Sequence, residues 1–186
     1  MKIYIPLLLS LVIAACGSNE SNENEIQETV SVQQFSNVDQ PSLDRINSIY
    51  QEYINLKNAL VETDPAKSSE AARVLAQTAK EFNYEPLNPD ARVFLEEKIA
   101  SIDEKAESIA GATNVEQQRE FFYPLSLNVY ELMKSFDVGS EPVYYQYCPM
   151  AFDDKGAYWL SNEKQIRNPY FGDVMLKCGE VREVIN

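Results

Sequence analysis

The chain has 186 residues, of which 29 are acidic, 16 are basic and none is histidine, giving a net formal charge of −13. This acidity argues against a nucleic-acid partner and against binding to an anionic membrane surface. Without histidine there is no Ser-His or Cys-His dyad. The sequence also has no Gly-rich phosphate loop and no Gly-x-Ser-x-Gly element, so we expect no enzymatic activity.

Residues 1–16 have the pattern of a bacterial lipoprotein signal peptide. Lys2 provides the short charged region, and the apolar run at residues 7–14 is too short to span a bilayer. Ala14 and Ala15 precede Cys16, as in a lipobox whose cysteine is acylated. Several acyl chains would anchor the protein stably to a membrane. We therefore expect lipidation at Cys16 and a bacterial cell-envelope location, at the periplasmic side or the surface of the outer membrane.

Residues 17–40 are predicted to be a disordered tether. Residues 18–28 are almost entirely Ser, Asn, Glu and Gln, which cannot bury enough apolar surface to offset the entropy of ordering. Removal of residues 1–15 takes away Lys2 and leaves 15 basic and 29 acidic side chains, a net formal charge of −14. Such a charge favours solubility and attracts cations.

Residues 41–137 are predicted to form four amphipathic helices. We expect Ser42 to cap the first, Asp64 and Asn88 to cap the second and third before a proline, and Thr113 with Glu116 to form a capping box for the fourth. Apolar residues recur at helical spacing in each, for example Leu75, Ala79 and Phe82; Leu95, Ile99 and Ile102; Phe122, Leu125 and Val129. Short connections favour an antiparallel four-helix bundle. The predicted fold is mainly α, with residues 41–186 forming one domain that ends in a small β-containing subdomain.

The C-terminal subdomain holds two sulfur pairs. Cys148 and Met150 follow a predicted strand at Val143–Tyr147. Met175 to Cys178 is either a helical turn that ends at Gly179 or a strand that continues into Val181 to Ile185. On a strand, residues two apart share a face, and on a helical turn residues three apart do so. Thiolate and thioether ligands select Cu(I), and thiolates also suit zinc. We therefore predict a soft-metal site formed by Cys148, Met150, Met175 and Cys178.

The same region resembles a known bacterial family. The residues that carry the resemblance are Tyr147-Cys148-Pro149-Met150-Ala151, Trp159-Leu160-Ser161, Ile166-Arg167-Asn168-Pro169-Tyr170-Phe171-Gly172 and Met175-Leu176-Lys177-Cys178-Gly179. They resemble domains of unknown function found in lipoproteins or fused to adaptor subunits of heavy-metal efflux pumps of the HlyD/CusB type. The resemblance implies a role in copper handling or efflux, with an efflux adaptor as partner.

The Tyr-x-Cys-Pro-Met element also resembles the start of small heavy-metal-binding modules of copper exporters. In those modules a histidine follows, where this chain has Ala151. Sulfur is therefore the expected donor. We expect Tyr147, Pro149, Trp159 and the segment from Asn168 to Gly172 (Asn168, Pro169, Tyr170, Phe171, Gly172) to support the site structurally, with a positive φ at Gly172.

Two functional hypotheses remain open from the sequence. In the first, an envelope lipoprotein binds Cu(I) or another soft ion. In the second, Cys148 and Cys178 form a structural disulfide, which an oxidising compartment favours, and the protein is a non-enzymatic interaction lipoprotein with a disulfide-clamped cap. The two states can also alternate, because a disulfide removes both thiolates and reduction restores them.

Overall fold

The structure is a computed structural model, and it describes Met1 and residues 32–85, 87–138 and 141–185. The signal peptide, the lipidation site Cys16 and most of the expected tether lie outside the described residues. No helix in the described part of the chain is both long enough and apolar enough to cross a membrane.

Four long helices make up most of the described chain, as predicted. They are α1 (Gln40–Val61), α2 (Pro65–Lys80), α3 (Pro89–Gly111) and α4 (Val115–Ser135). Each helix packs against the next along the chain, and α1 also packs against α4. The predicted apolar stripes face inward, so that Leu75, Ile102 and Leu125 are fully buried.

The helix starts confirm two of the predicted caps and correct two. Asp64 and Asn88 accept backbone N–H groups of α2 and α3. The cap of α1 is Asp39 rather than Ser42, because the Asp39 carboxylate accepts both the backbone N–H and the hydroxyl of Ser42.

The fourth helix begins one residue later than the predicted capping box requires. Asn114 accepts the backbone N–H of Gln117, and the Gln117 amide oxygen accepts the backbone N–H of Thr113. The N-cap is therefore Asn114, and Gln117 rather than Glu116 accepts from Thr113, while Glu116 lies exposed in the first turn.

A small antiparallel sheet follows the helices, again as predicted. Its strands are β1 (Val143–Cys148), β2 (Ala157–Ser161) and β3 (Glu180–Ile185), in the order β2-β1-β3. The sheet is tied to the helices at one buried hydroxyl. Tyr53 of α1 accepts the backbone N–H of Leu160 over 3.0 Å and contacts Ser126 Oγ of α4 at 2.8 Å.

Residues 32–38, which the composition placed in the tether, contact the folded domain. The Phe35 backbone N–H donates to the Ser135 carbonyl over 2.9 Å, and the Phe35 ring packs against Phe94 and Phe136 at centroid distances of 5.2 and 5.1 Å. The chain is therefore held to α3 and to the end of α4 before α1 begins.

Candidate metal centre

The structure brings Cys148 and Cys178 together. Their sulfur atoms lie 2.7 Å apart, although 30 positions separate them in sequence. Strand pairing explains this, because Tyr147 at the end of β1 lies opposite Glu180 at the start of β3. Cys148 closes β1 and Cys178 lies two residues before β3, so the pairing places the two thiols side by side. Both cysteines are free thiols in this structure.

The two thiols differ in their surroundings. Cys148 is fully buried, whereas Cys178 is partly exposed and receives a hydrogen bond from the backbone N–H of Met150. Burial, the hydrogen bond with Cys148 and repulsion from its charge raise the pKa of Cys178 to about 11, against the opposing effect of the Met150 amide. Cys178 is therefore a thiol at neutral pH, and a metal ion that binds there must displace its proton.

The backbones of the two methionines lie close to Cys178. β1 ends at Cys148, so Met150 lies in the following turn and does not share a strand face with Cys148, as the spacing had suggested. Its side chain is 47% exposed. Met175 follows a 3₁₀ helix at Gly172–Val174, and its carbonyl accepts the backbone N–H of Cys178 over 3.0 Å. Within the described ranges, no three His, Cys, Asp or Glu side chains converge as a metal-binding group.

Asn168 fixes the loop that carries Cys178. This fully buried side chain donates from Nδ2 to the Cys178 carbonyl over 2.9 Å and accepts the Tyr170 backbone N–H at 2.8 Å. Its own backbone N–H donates to the Leu176 carbonyl, and its carbonyl accepts the Gly172 N–H. Gly172 has the expected positive φ, at 56°. One residue therefore closes the segment 168–178 into a ring beside the thiols.

A glycine allows the strands to approach each other next to Cys178. Gly179 has φ of 137°, and a Cβ atom there would lie 2.8 Å from the Tyr147 carbonyl oxygen and 2.9 Å from the Trp159 ring. Trp159, the only tryptophan of the chain, is fully buried. Its ring also contacts Tyr170, whose hydroxyl donates to the Tyr158 carbonyl over 2.6 Å.

The remaining expected support residues differ in exposure. Pro169 is buried and Phe171 is partly buried in the loop that Asn168 closes, and Tyr147 lies partly buried against Tyr158. Pro149 is exposed in the turn after β1.

Sequence reasoning missed Arg119, which ties this loop to the helices. The side chain is only 8% exposed. It donates from Nε to the Pro169 carbonyl over 2.8 Å, and from Nη2 to the Leu60 carbonyl and to Thr63 Oγ1 over 3.3 and 3.1 Å. Burial lowers the pKa of its guanidinium. Helical spacing could have indicated that Arg119 is buried, because it precedes Phe122 by three residues on the buried stripe of α4.

A left-handed turn next to the site was also missed. Phe152, Asp153 and Asp154 have φ values of 54°, 56° and 62°, a conformation that costs L-residues conformational energy. The Phe152 ring contacts Tyr123 and Tyr170, so packing against α4 and the site loop holds this turn in place.

Comparison with known proteins places the helical part of the chain in a family. The family model described as "Protein of unknown function (DUF3347)" matches residues 49–141, half of the chain and most of the four-helix region. Cys148 and Cys178 lie beyond the matched segment. No curated protein matches the chain. No solved structure matches it either. The chain therefore belongs to the DUF3347 family of proteins of unknown function.

Proposed function

We propose that this protein is an envelope lipoprotein that binds a soft monovalent metal ion, Cu(I), through Cys148 and Cys178. The observation that supports this proposal is the contact between the two sulfur atoms, 2.7 Å apart at the end of the central strand, where Cys178 is partly exposed. Two thiols bind Cu(I) in preference to harder metal ions. Met150 and Met175 are further thioether donors within three residues of a cysteine.

The thiol pair fits a shared ion after a small movement. Two sulfurs bound to one tetrahedral ion at about 2.3 Å each lie about 3.8 Å apart, so the observed pair would have to separate by about 1.1 Å. Cys178 lies outside any helix or strand, and a rotation of its side chain accounts for such a change.

The proposed cellular setting is based on the N-terminal sequence, the net charge and the family resemblance. Acylation of Cys16 would hold the protein in the bacterial cell envelope, with residues 17–31 as the spacer. The acidic chain would attract cations, and a heavy-metal efflux adaptor is the partner that the family resemblance implies. Copper efflux or handling would be the process that the protein assists.

A Cu(I) competition titration tests this function. The mature lipoprotein, purified in detergent and fully reduced, is expected to take about one equivalent of Cu(I) from a chromogenic chelator. Cys148→Ala should abolish this uptake. Met133→Leu is the matched control, because Met133 is buried in α4. Unchanged uptake in Cys148→Ala would refute the proposal.

A second candidate function rests on the same distance. A sulfur separation of 2.7 Å is about 0.7 Å longer than a disulfide bond, closer to that bond than to the spacing of a shared ion. The protein would then be a non-enzymatic interaction lipoprotein whose C-terminal cap is clamped by a Cys148–Cys178 disulfide. Mass spectrometry of protein alkylated without reduction distinguishes the two, since a clamped cap leaves neither cysteine open to alkylation.

We also infer that the four helices form an antiparallel, up-and-down bundle. The supporting observations are the three-residue connections at 62–64 and 112–114 and the packing of each helix on the next. An experimental structure with two consecutive helices parallel would contradict this topology.

A further inference from the structure

The two thiols of the site are not equally accessible. Cys148 belongs to the buried core, while Cys178 is partly exposed and lies in the segment between the 3₁₀ helix and β3. An ion that arrives from solvent therefore meets the Cys178 sulfur before the Cys148 sulfur.

Met150 lies on the exposed side of the pair. It lies in the turn two residues after Cys148, its backbone N–H lies beside the Cys178 sulfur, and its side chain is 47% exposed. Met175 is less exposed, and its carbonyl oxygen accepts the backbone N–H of Cys178. A methionine side chain is unbranched and flexible, so Met150 can bring its thioether towards an ion held by Cys178.

We infer that Cys178 and Met150 form the entry side of the site, and that Cys148 binds the ion last. This inference rests on the proposed function. The entry order implies that Cu(I) is delivered by a carrier that holds the ion on exposed thiolates or thioethers, because such ligands exchange directly with Cys178 and Met150.

The transfer consists of two ligand exchanges, and the oxidation state of copper does not change. Cys178 loses its proton to solvent and forms a copper–sulfur bond as one bond from copper to the donor breaks. Cys148 then loses its proton and forms the second bond as the donor's remaining ligand leaves. Copper remains Cu(I) throughout, so no oxidant or reductant is needed. The Met150 thioether, which has no proton to lose, binds the ion during the first exchange beside Cys178 and holds it until Cys148 binds.

Stopped-flow transfer from a Cu(I)–glutathione complex to the mature, reduced lipoprotein tests this order. We expect Met150→Leu to slow the first exchange about tenfold, and the buried control Met133→Leu to change it less than about twofold. Cys148→Ala should retain the first exchange and lose the second, whereas Cys178→Ala should lose both. Equal rates for Met150→Leu and wild type, or a retained first exchange in Cys178→Ala, would overturn the inference while the proposed function stands.

A metal-free measurement separates the two possible failures. Iodoacetamide should modify Cys178 at least about tenfold faster than Cys148, as read by mass spectrometry of the intact, reduced protein. Equal modification rates would overturn the assigned order even if Cu(I) binds. Absence of Cu(I) uptake by the wild type would refute the proposed function and the entry order together.

Discussion

The guanidinium of Arg119 donates from Nε to the carbonyl oxygen of Pro169 over 2.8 Å, which joins α4 directly to the loop that carries Cys178. The same side chain reaches the end of α1 at Leu60 and Thr63. No carboxylate hydrogen-bonds this buried cation among the described residues; its partners are carbonyl and hydroxyl oxygens. The loop geometry of the site therefore depends on a residue of the helical family domain.

Replacement of Arg119 by leucine should destabilise the protein strongly. The change leaves the buried Pro169 carbonyl without its donor, which costs about 1–3 kcal/mol, and removes the hydrogen bonds to Thr63 Oγ1 and to the Leu60 carbonyl, although Leu60 keeps the Thr63 N–H. We therefore expect a loss of about 3 kcal/mol in urea unfolding. Arg73→Leu is the control, because Arg73 pairs with Glu70 on the surface and should change stability by less than about 1 kcal/mol. Equal losses in the two variants would contradict the role assigned to Arg119.

The same Gly→Ala change should have opposite effects at two positions. At Gly172 a Cβ would lie 2.1 Å from Thr63 Oγ1 and 3.0 Å from the Val61 carbonyl oxygen, with φ at 56°. We expect Gly172→Ala to cost about 2–4 kcal/mol. At Gly111, the last residue of α3, a Cβ meets nothing within 4 Å.

Gly111→Ala should therefore stabilise the protein by up to about 1 kcal/mol through helix propensity. Thermal unfolding of both variants, each measured against wild type, checks the pair. A stabilising Gly172→Ala would show that the loop between Asn168 and Cys178 is not held against the end of α1.

Local signals explain which features of the fold were predictable. Asp64 and Asn88 each precede a proline at a helix start, and the prediction of both N-caps depends only on neighbouring residues. Ser42 was a plausible cap by the same rule, but Asp39 provides a carboxylate that accepts two donors of Ser42. Residue type alone could not decide between Ser42 and Asp39 as the N-cap of α1.

Long-range contacts explain why the site was predicted only in part. The four sulfur residues were visible as a pattern, but the adjacency of the two thiols depends on the register of β1 with β3, which no local motif specifies. The end of β1 at Cys148 placed Met150 in a turn. Arg119 was not identified, because an arginine between polar neighbours on a helix is usually exposed.

The buried Lys57 should make stability depend on pH in the mildly alkaline range. Lys57 is only 1% exposed, and burial lowers its pKa to about 8, with Glu163 opposing the shift and Arg167 adding to it. Below pH 8 both the folded and the unfolded chain carry the proton, and the folded state bears the cost of the buried charge. Between pH 8 and about 10.5 the unfolded chain binds more protons, so the Lys57 contribution to the free energy of unfolding rises with pH.

Lys57→Met isolates this contribution from the tyrosines and from Cys178, whose raised pKa values act in the opposite direction above pH 9. The variant should be more stable than wild type by about 2 kcal/mol at pH 7, and the difference should shrink by pH 9.5. Urea unfolding at the two pH values gives both differences. Lys67→Met, at an exposed position beside Glu62, should show no such dependence. A constant difference for Lys57→Met would contradict a lowered pKa.

Gly179→Ala should separate the two thiols without removing either sulfur. A Cβ at Gly179 would lie 2.8 Å from the Tyr147 carbonyl oxygen, and φ of 137° is unfavourable for alanine, so the backbone beside Cys178 has to shift. Because the pair now lies at 2.7 Å, even a displacement of about 1 Å should slow disulfide formation by oxidised glutathione about tenfold. The rate is read from loss of free thiols, with Gly111→Ala as the control. The fluorescence of buried Trp159, which the new Cβ would also approach to 2.9 Å, reports the shift independently. A changed fluorescence with an unchanged oxidation rate would show that the thiols meet without the close approach of β1 and the chain at Gly179.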